Sequence, residues 1–417
     1  MIFSGLEQIT ATAFAGTLNN VDLLASIGIC FPFITFLNAV GQMVGVGTSS
    51  LLGRKLGENS KDIKKEIGAS FFYGLLFYIL VLILCFCFLK GILIFLGAKS
   101  GTYGYTEKYI TILIIGAVFP IFNMIFANLF RMLGKPYHSL FLMAISAVFD
   151  ILLILLLVFG FKTSIIGFAL SFVISQMFGT IFSIAVFIRQ KLFNLKFNIN
   201  NLKNIIKGIL SIGLPTLVMQ ICTSVSLSFL NSAAANISKE AVAGFSIGNK
   251  IYMLGFGAVL GYTQAFLPYA AYNYGSKDYK KLKKSLAFSV IATSSLCAFF
   301  TIIFICFPNN ISAVFSGNKS VINYSSKSLV AHSIPFVLVA VIQTFTVFFQ
   351  AVKKPVAAGA LSIVRQGILL IPASVAVLYI FKKYIFIIYA QPVCDVLTFL
   401  FLSVMLIIYK FKNKKTL

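Results

Sequence analysis

The sequence predicts an all-α polytopic membrane protein, with twelve transmembrane helices arranged as two parallel-repeat six-helix bundles around a central cleft. Three observations carry that expectation. Of the 417 residues, 59% are hydrophobic and only 11% charged, where a soluble chain carries about 25% charged residues; mean hydropathy is +0.98. Apolar runs of about 20 residues recur from end to end, each long enough to cross a hydrocarbon core of about 30 Å. Finally, short motifs recur in the same order in the two halves of the chain.

Loop punctuation places the spans in order. The first, 1–18, is apolar but has no basic leader and contains Glu7, so it reads as a span and not as a cleaved signal peptide. Spans at 23–51, 68–97, 108–133, 137–160 and 164–189 complete an N-terminal bundle, 1–190. A basic cytoplasmic linker, 191–207, leads to spans at 208–235, 241–272, 285–316, 327–352, 356–381 and 384–409. These form a C-terminal bundle, 208–410, followed by a basic cytoplasmic tail, 411–417.

Orientation follows from the basic residues. Loops after even-numbered spans hold 23 Lys and Arg, among them Arg54, Arg131, Arg189 and Lys277, Lys280, Lys281, Lys283 and Lys284; loops after odd-numbered spans hold eight. Short cytoplasmic loops are rich in Lys and Arg, which puts even-span ends, the linker and the C-terminus inside. The repeat agrees. Gly57–Lys65 answers Gly275–Lys281, Ser26-Ile27-Gly28 answers Ser246-Ile247-Gly248, Lys99-Ser100 answers Lys319-Ser320, and Lys135-Pro136 answers Lys354-Pro355. Six spans per half give both halves the same orientation, so the repeats are parallel and suited to alternating access.

Other function classes lose ground on the same residues. The net charge of +24 sits in short loops with no soluble domain to dock a duplex, so nucleic acid is not an expected partner. All seven cysteines fall in apolar segments without metal or disulfide spacing, and read as small core residues. With only His138 and His332, and few acids, the chain offers no catalytic or metal set. It is not expected to be an enzyme, and no soluble cofactor is implied.

One stretch is specific. In Gly255–Lys284 (GFGAVLGYTQAFLPYAAYNYGSKDYKKLKK) an apolar helix carries Gln264 and Pro268, ends at Asn273-Tyr274-Gly275 and opens into lysines. It resembles a signature of the multidrug and toxic compound extrusion (MATE) transporters, within the multidrug/oligosaccharidyl-lipid/polysaccharide exporter superfamily. Gly208–Asn231, Gln350–Pro372, Gln391–Asp395 and Arg131–Pro136 are also similar to family segments. The resemblance implies a secondary active antiporter of the bacterial plasma membrane. It would export small organic cations or drugs in exchange for H⁺ or Na⁺, and work as a monomer in the bilayer. Relatives carry more chain ahead of the first span, which marks that span as a candidate for truncation. Relatives also place an Asp near the Phe-x-Gly end of that span; against Phe14-Ala15-Gly16 the position is Ala11 here, and the acid is Glu7, one turn earlier. In the fifth span Asp150 stands where relatives carry Asn, and Ile154 where they carry Asp. No acid lies in spans seven or eight, where Na⁺-binding relatives use one.

Charges inside a bilayer are costly and are functional candidates by default. At about 1.5 Å per residue, Asp150 lies about 22 Å from Lys135 and Glu7 about 18 Å from Asn19, so both are expected near mid-membrane as cation-coupling residues. A desolvated carboxyl can exchange H⁺ near neutral pH, or neutralise Na⁺ or a cationic drug; Na⁺ near Asp150 is the one metal considered. Their alternative role is a hydrogen bond between helices. Arg365 and Asp395, on sequential antiparallel spans, are expected to form a structural or gating pair, whereas Lys250 snorkels outward. Gln42, Gln220 and Gln264 are the candidates for the substrate cavity; other intramembrane amides, including Asn123, Asn128 and Gln176, join helices or line the cleft. The alternative function is a flippase for a lipid-linked saccharide or an exporter of another metabolite in the same superfamily. It would need cationic residues along the cleft.

Overall fold

The computed structural model describes residues 7, 10–11, 14–15, 21–58, 63–96, 98, 102–190, 199–315, 318–381 and 383–412. Its helices run α1 Val21–Gly57, α2 Ile63–Cys87, α3 Leu89–Leu96, α4 Tyr103–Gly116, α5 Val118–Met132, α6 Pro136–Ile154 and α7 Ser164–Arg189. They continue as α8 Ile199–Ala235, α9 Lys239–Gly275, α10 Tyr279–Cys306, α11 Pro308–Ala313, α12 Lys319–Ser333, α13 Phe336–Ala351, α14 Pro355–Ile363, α15 Leu370–Tyr379 and α16 Tyr384–Lys412. Wide π-helical turns extend α6 (Leu155–Gly160) and join α14 to α15 (Val364–Leu369).

Nine stretches are long and apolar enough to cross a bilayer, and two bent pairs, α4 with α5 (49°) and α12 with α13 (53°), bring the total to eleven among the described residues. They match the second to twelfth expected spans one for one. Most of the first span lies outside the described residues, as do 191–198 of the linker and 413–417 of the tail. Local chemistry sets the breaks. Pro120 cannot donate to the Gly116 carbonyl, nor Pro335 to that of Ala331, and a missing backbone bond is where a helix bends. Pro136 and Pro355 open α6 and α14 at the helix start, where no donor is needed. The side chains of Ser238 and Asp278 accept the backbone N–H of Ala241 and Lys281 (3.0 Å each), capping α9 and α10.

The chain divides into two compact units, Met1–Leu217 and Val218–Leu417. The division falls inside α8 and not in the expected linker. The beginning of α8 packs on α1: Ile205 and Ile209 belong to the N-terminal core, and a Cβ on Gly213 would run into the Met43 carbonyl. In the N-terminal unit α1 lies along α5, held close by Gly41 and Gly45. A Cβ at Gly41 would stand 2.7 Å from the Ile121 carbonyl oxygen, and one at Gly45 would stand 2.6 Å from Asn128 Nδ2. Small residues four apart permit such approach where lipid offers no hydrophobic drive. Phe71, Phe126, Phe130 and Phe187 fill the space below, with centroids 4.6–5.2 Å apart across α2, α5 and α7.

In the C-terminal unit α9 packs chiefly on α12, the first piece of its bent span, whereas α1 packs chiefly on α5, the second piece of the corresponding one. Tyr252, Phe256 and Phe336 anchor its core. The two halves share bends and proline starts, as the motif repeat requires, but differ in which piece of the bent span the long helix packs on. Outward-facing stripes such as Leu75, Ile79, Leu80 and Ile83 on α2 are exposed and apolar, the surface a bilayer covers. Of the cysteines, Cys87 and Cys306 stand exposed at helix ends, so the core reading fails for those two; Cys30, Cys85, Cys297 and Cys394 are buried.

Candidate functional site

The N-terminal unit gathers its two intramembrane acids. Glu7 is buried, and Gln176 of α7 donates to its Oε1 at 3.4 Å. Asn123 of α5 donates to Gln176 Oε1 (2.8 Å) and to the Gln176 carbonyl (2.9 Å), and the Thr180 hydroxyl donates to Asn123 Oδ1 at 2.9 Å. Glu7, Asn38, Asn123, Ser146 and Gln176 surround a cavity of about 30 Å³ with an apolar wall at Phe172. That volume holds about one water, or an ion of similar size, and excludes a drug.

Asp150 lies one turn beyond Ser146 on α6, 2% exposed, with the Ser171 hydroxyl against its carboxyl and Tyr109 close by. Glu7 is near enough to feel its charge. Among the described residues Asp150 Oδ1 has no hydrogen-bond partner. A buried acceptor left unsatisfied costs about 1–3 kcal/mol. The sequence placed Glu7, Asp150, Asn123 and Gln176 inside the membrane. Ser146, Ser171 and Tyr109 carried no signal, because a hydroxyl in an apolar helix looks like any other until its neighbour across the interface is known.

The C-terminal unit treats its charges differently. Arg365 Nε donates to Asp395 Oδ1 at 2.7 Å, and Gln391, one turn before Asp395, donates to the same oxygen at 3.0 Å. Both ions are buried, Asp395 at 1% exposure, and the guanidinium lies 5.7 Å from the Phe256 ring centroid. Arg365 sits in the π-helical turn, which re-aims a side chain relative to a regular helix. Tyr252, near the pair, packs its ring tilted against that of His332, with centroids 5.4 Å apart. The Tyr252 hydroxyl faces Arg365 without a well-formed hydrogen bond.

The candidate amides disperse. Gln42 is buried and accepts from Asn128 at 3.2 Å; Asn128 in turn accepts from Arg131 (3.0 Å), which also donates to Ser139 at 3.1 Å. Gln42 thus belongs to a chain leading to the end of α5, not to the lining of the Glu7 cavity. Gln220 is half-buried on α8, and Gln264 is buried on α9 with Oε1 unpartnered among the described residues. Lys250 is exposed.

The MatE family profile matches residues 1–156 and 215–391. This chain belongs to the MatE family. Members are transporters, not enzymes, and need no cofactor. The chain is similar to the multidrug export protein MepA of Staphylococcus saprophyticus, 26% identical over 86% of this chain and 80% of that one. It is 25% identical to MepA of Staphylococcus aureus, with the same coverage. Among solved structures, an outward-facing multidrug resistance MATE transporter of the MOP superfamily aligns over 96% of this chain and 92% of its own with TM-score 0.85 and 20% identity. A MOP-superfamily transporter from Pyrococcus furiosus, described as having a binding pocket of reverse polarity, aligns over 96% and 91% with the same TM-score and identity. At that identity the likeness establishes the fold, which is the twelve-helix MATE architecture.

Proposed function

We propose that this MATE transporter is a secondary antiporter that exports organic cations or drugs in exchange for H⁺ or Na⁺, with Asp150 and Glu7 as its coupling residues. The observation that carries this reading is a buried acid, Glu7, lining an ion-sized cavity, with a second buried acid, Asp150, one turn from the lining residue Ser146 and with an oxygen unsatisfied. An acid in that setting binds a proton or a small cation more readily than it remains bare. The coupling ion and the drug then occupy different volumes, since the cavity beside Glu7 is too small for an organic cation. Gln42, Gln220 and Gln264 are the residues assigned to the larger substrate surface. The names of the MepA relatives support multidrug export. The lysine bias supports a cytoplasmic C-terminus, and the bacterial MepA relatives support the plasma membrane; the monomer is taken as the working unit.

The flippase alternative requires cationic side chains available to a pyrophosphate. Arg365, the deepest arginine, is bonded to Asp395, which weighs against it.

Ethidium efflux from inverted vesicles, with pH and Na⁺ gradients imposed separately, tests the assignment. Wild type is expected to require one of the gradients, and Asp150→Asn to lose at least tenfold of the coupled rate at equal protein level, a loss equivalent to about 1.4 kcal/mol. Unchanged efflux in Asp150→Asn would remove that residue from the coupling site.

A further inference from the structure

A second cavity, sharing no lining residue with either charged cluster, lies on the surface of the C-terminal unit. Tyr262, Phe266 and Tyr269 of α9 and Phe288 of α10 wall a groove of about 700 Å³, with Lys281 and Lys284 on the first turns of α10. The volume falls in the range of sites that hold a sizeable ligand. Tyr262 Oη, within 3.4 Å of Ser289 Oγ, ties the two helices deeper in the groove. Phe288 is 66% and Tyr269 52% exposed, and Ile291 continues the same open apolar face of α10.

Charge is concentrated at the other end. Five lysines lie between Lys277 and Lys284, with Asp278 as the only carboxylate. Asp278 caps α10 and pairs with Lys281 at 2.9 Å. The Lys281 backbone N–H and ammonium hold its carboxyl below the ordinary value, so it stays ionised. One carboxylate cannot neutralise five ammonium groups. Lys284 has no carboxylate partner among the described residues, and Lys281 remains 69% exposed.

We propose that this groove binds one anionic phospholipid, its phosphate held by Lys281 and Lys284 and an acyl chain lying against Tyr262, Phe266, Tyr269 and Phe288. The match is to both ends of the molecule. A soluble anion would leave the aromatic walls bare, and a neutral lipid would leave the lysine pair without a counter-charge. Basic pockets between membrane helices at the cytoplasmic face are where anionic headgroups are recognised. Three-residue spacing makes Lys281 and Lys284 neighbours on α10, and these two line the groove whereas Lys280 and Lys283 do not. The site is separate from ion coupling and drug export, and only the choice of leaflet rests on the lysine bias.

Native mass spectrometry of the purified full-length chain tests this without any transport readout. The probes are phosphatidylglycerol and phosphatidylcholine with the same acyl chains, and inorganic phosphate as competitor. A lysine at a membrane surface contributes roughly fivefold to affinity for anionic lipid. Wild type is expected to retain one phosphatidylglycerol in preference to phosphatidylcholine, and Lys281→Gln/Lys284→Gln to lose about 25-fold. Lys280→Gln/Lys283→Gln, with the same loss of charge, is expected to stay within about threefold of wild type. Phe288→Ala should weaken retention with both lysines present. Equal loss in the two double variants would mean diffuse surface charge and would overturn the site. So would equal retention of phosphatidylcholine, or full displacement by inorganic phosphate. Size-exclusion profiles and circular dichroism of each variant separate lost binding from lost folding.

Discussion

The two halves share a fold and handle buried charge in opposite ways. In the N-terminal unit Glu7 lines an ion-sized cavity, and Asp150, one turn from the lining residue Ser146, keeps an oxygen unsatisfied. In the C-terminal unit the buried acid, Asp395, is held by Arg365 at 2.7 Å and by Gln391 at 3.0 Å. An open acid is free to exchange a proton or cation, whereas a closed one is already neutralised. The repeat therefore supplies one frame twice, and on the proposed function the side chains divide the labour between coupling and cohesion.

Asp395→Asn is the strongest test of that division. Removing one partner of a buried pair strands the other, at a cost of about 3–5 kcal/mol. The variant should melt well below wild type in detergent, with low yield, while Asp150→Asn melts close to wild type. The double change Arg365→Met/Asp395→Leu should recover most of the stability, since a buried pair can be replaced by apolar residues at little cost. An Asp395→Asn protein that melts normally but no longer transports would move coupling into the C-terminal unit and reverse the contrast.

The close helix crossings should respond alike in the two halves. Gly41→Ala in α1 and Gly248→Ala in α9 each place a methyl under 3 Å from backbone atoms, of Ile121 and Ser325 respectively. Overpacking costs about 1–3 kcal/mol, partly offset by the better helix propensity of alanine, about 1 kcal/mol. A net loss in thermal stability for both variants is expected. Stabilisation of either would show that its crossing relaxes.

The smallest effect concerns the turns before Pro136 and Pro355. Gly134 (φ +72°) and Lys353 (φ +61°) occupy the same left-handed position, 219 residues apart. Glycine meets no steric penalty there, whereas an L side chain costs about 1–2 kcal/mol. Lys353→Gly should raise stability by up to about 1 kcal/mol, and Gly134→Lys should lower it by a similar amount. A matched pair of melting curves measures both. No gain from Lys353→Gly would mean that the lysine side chain offsets its backbone strain.

Much of the architecture was legible because hydrophobic length, proline placement and lysine bias are local signals. Eleven described spans fall where apolar runs and loop breaks put them, and the Lys135-Pro136 and Lys354-Pro355 motifs mark equivalent turns. The division inside α8 was not legible. It depends on Gly213 approaching the Met43 backbone, and an apolar helix shows no preference in its sequence for one neighbour over another. The site was half legible. A charge within an apolar run stands out by its desolvation cost, so Glu7, Asp150, Arg365 and Asp395 were visible individually.

What the sequence determined alone is which segments enter the bilayer and which buried charges need an explanation, since burying a backbone or a charge has a fixed cost wherever it occurs. Only the tertiary structure decided which charges met. Arg365 and Asp395 are 30 residues apart and Glu7 and Gln176 are 169 apart, and the rotation of packed helices, set by small residues and π-helical turns, brought the first pair into an ion pair and left Asp150 Oδ1 unsatisfied.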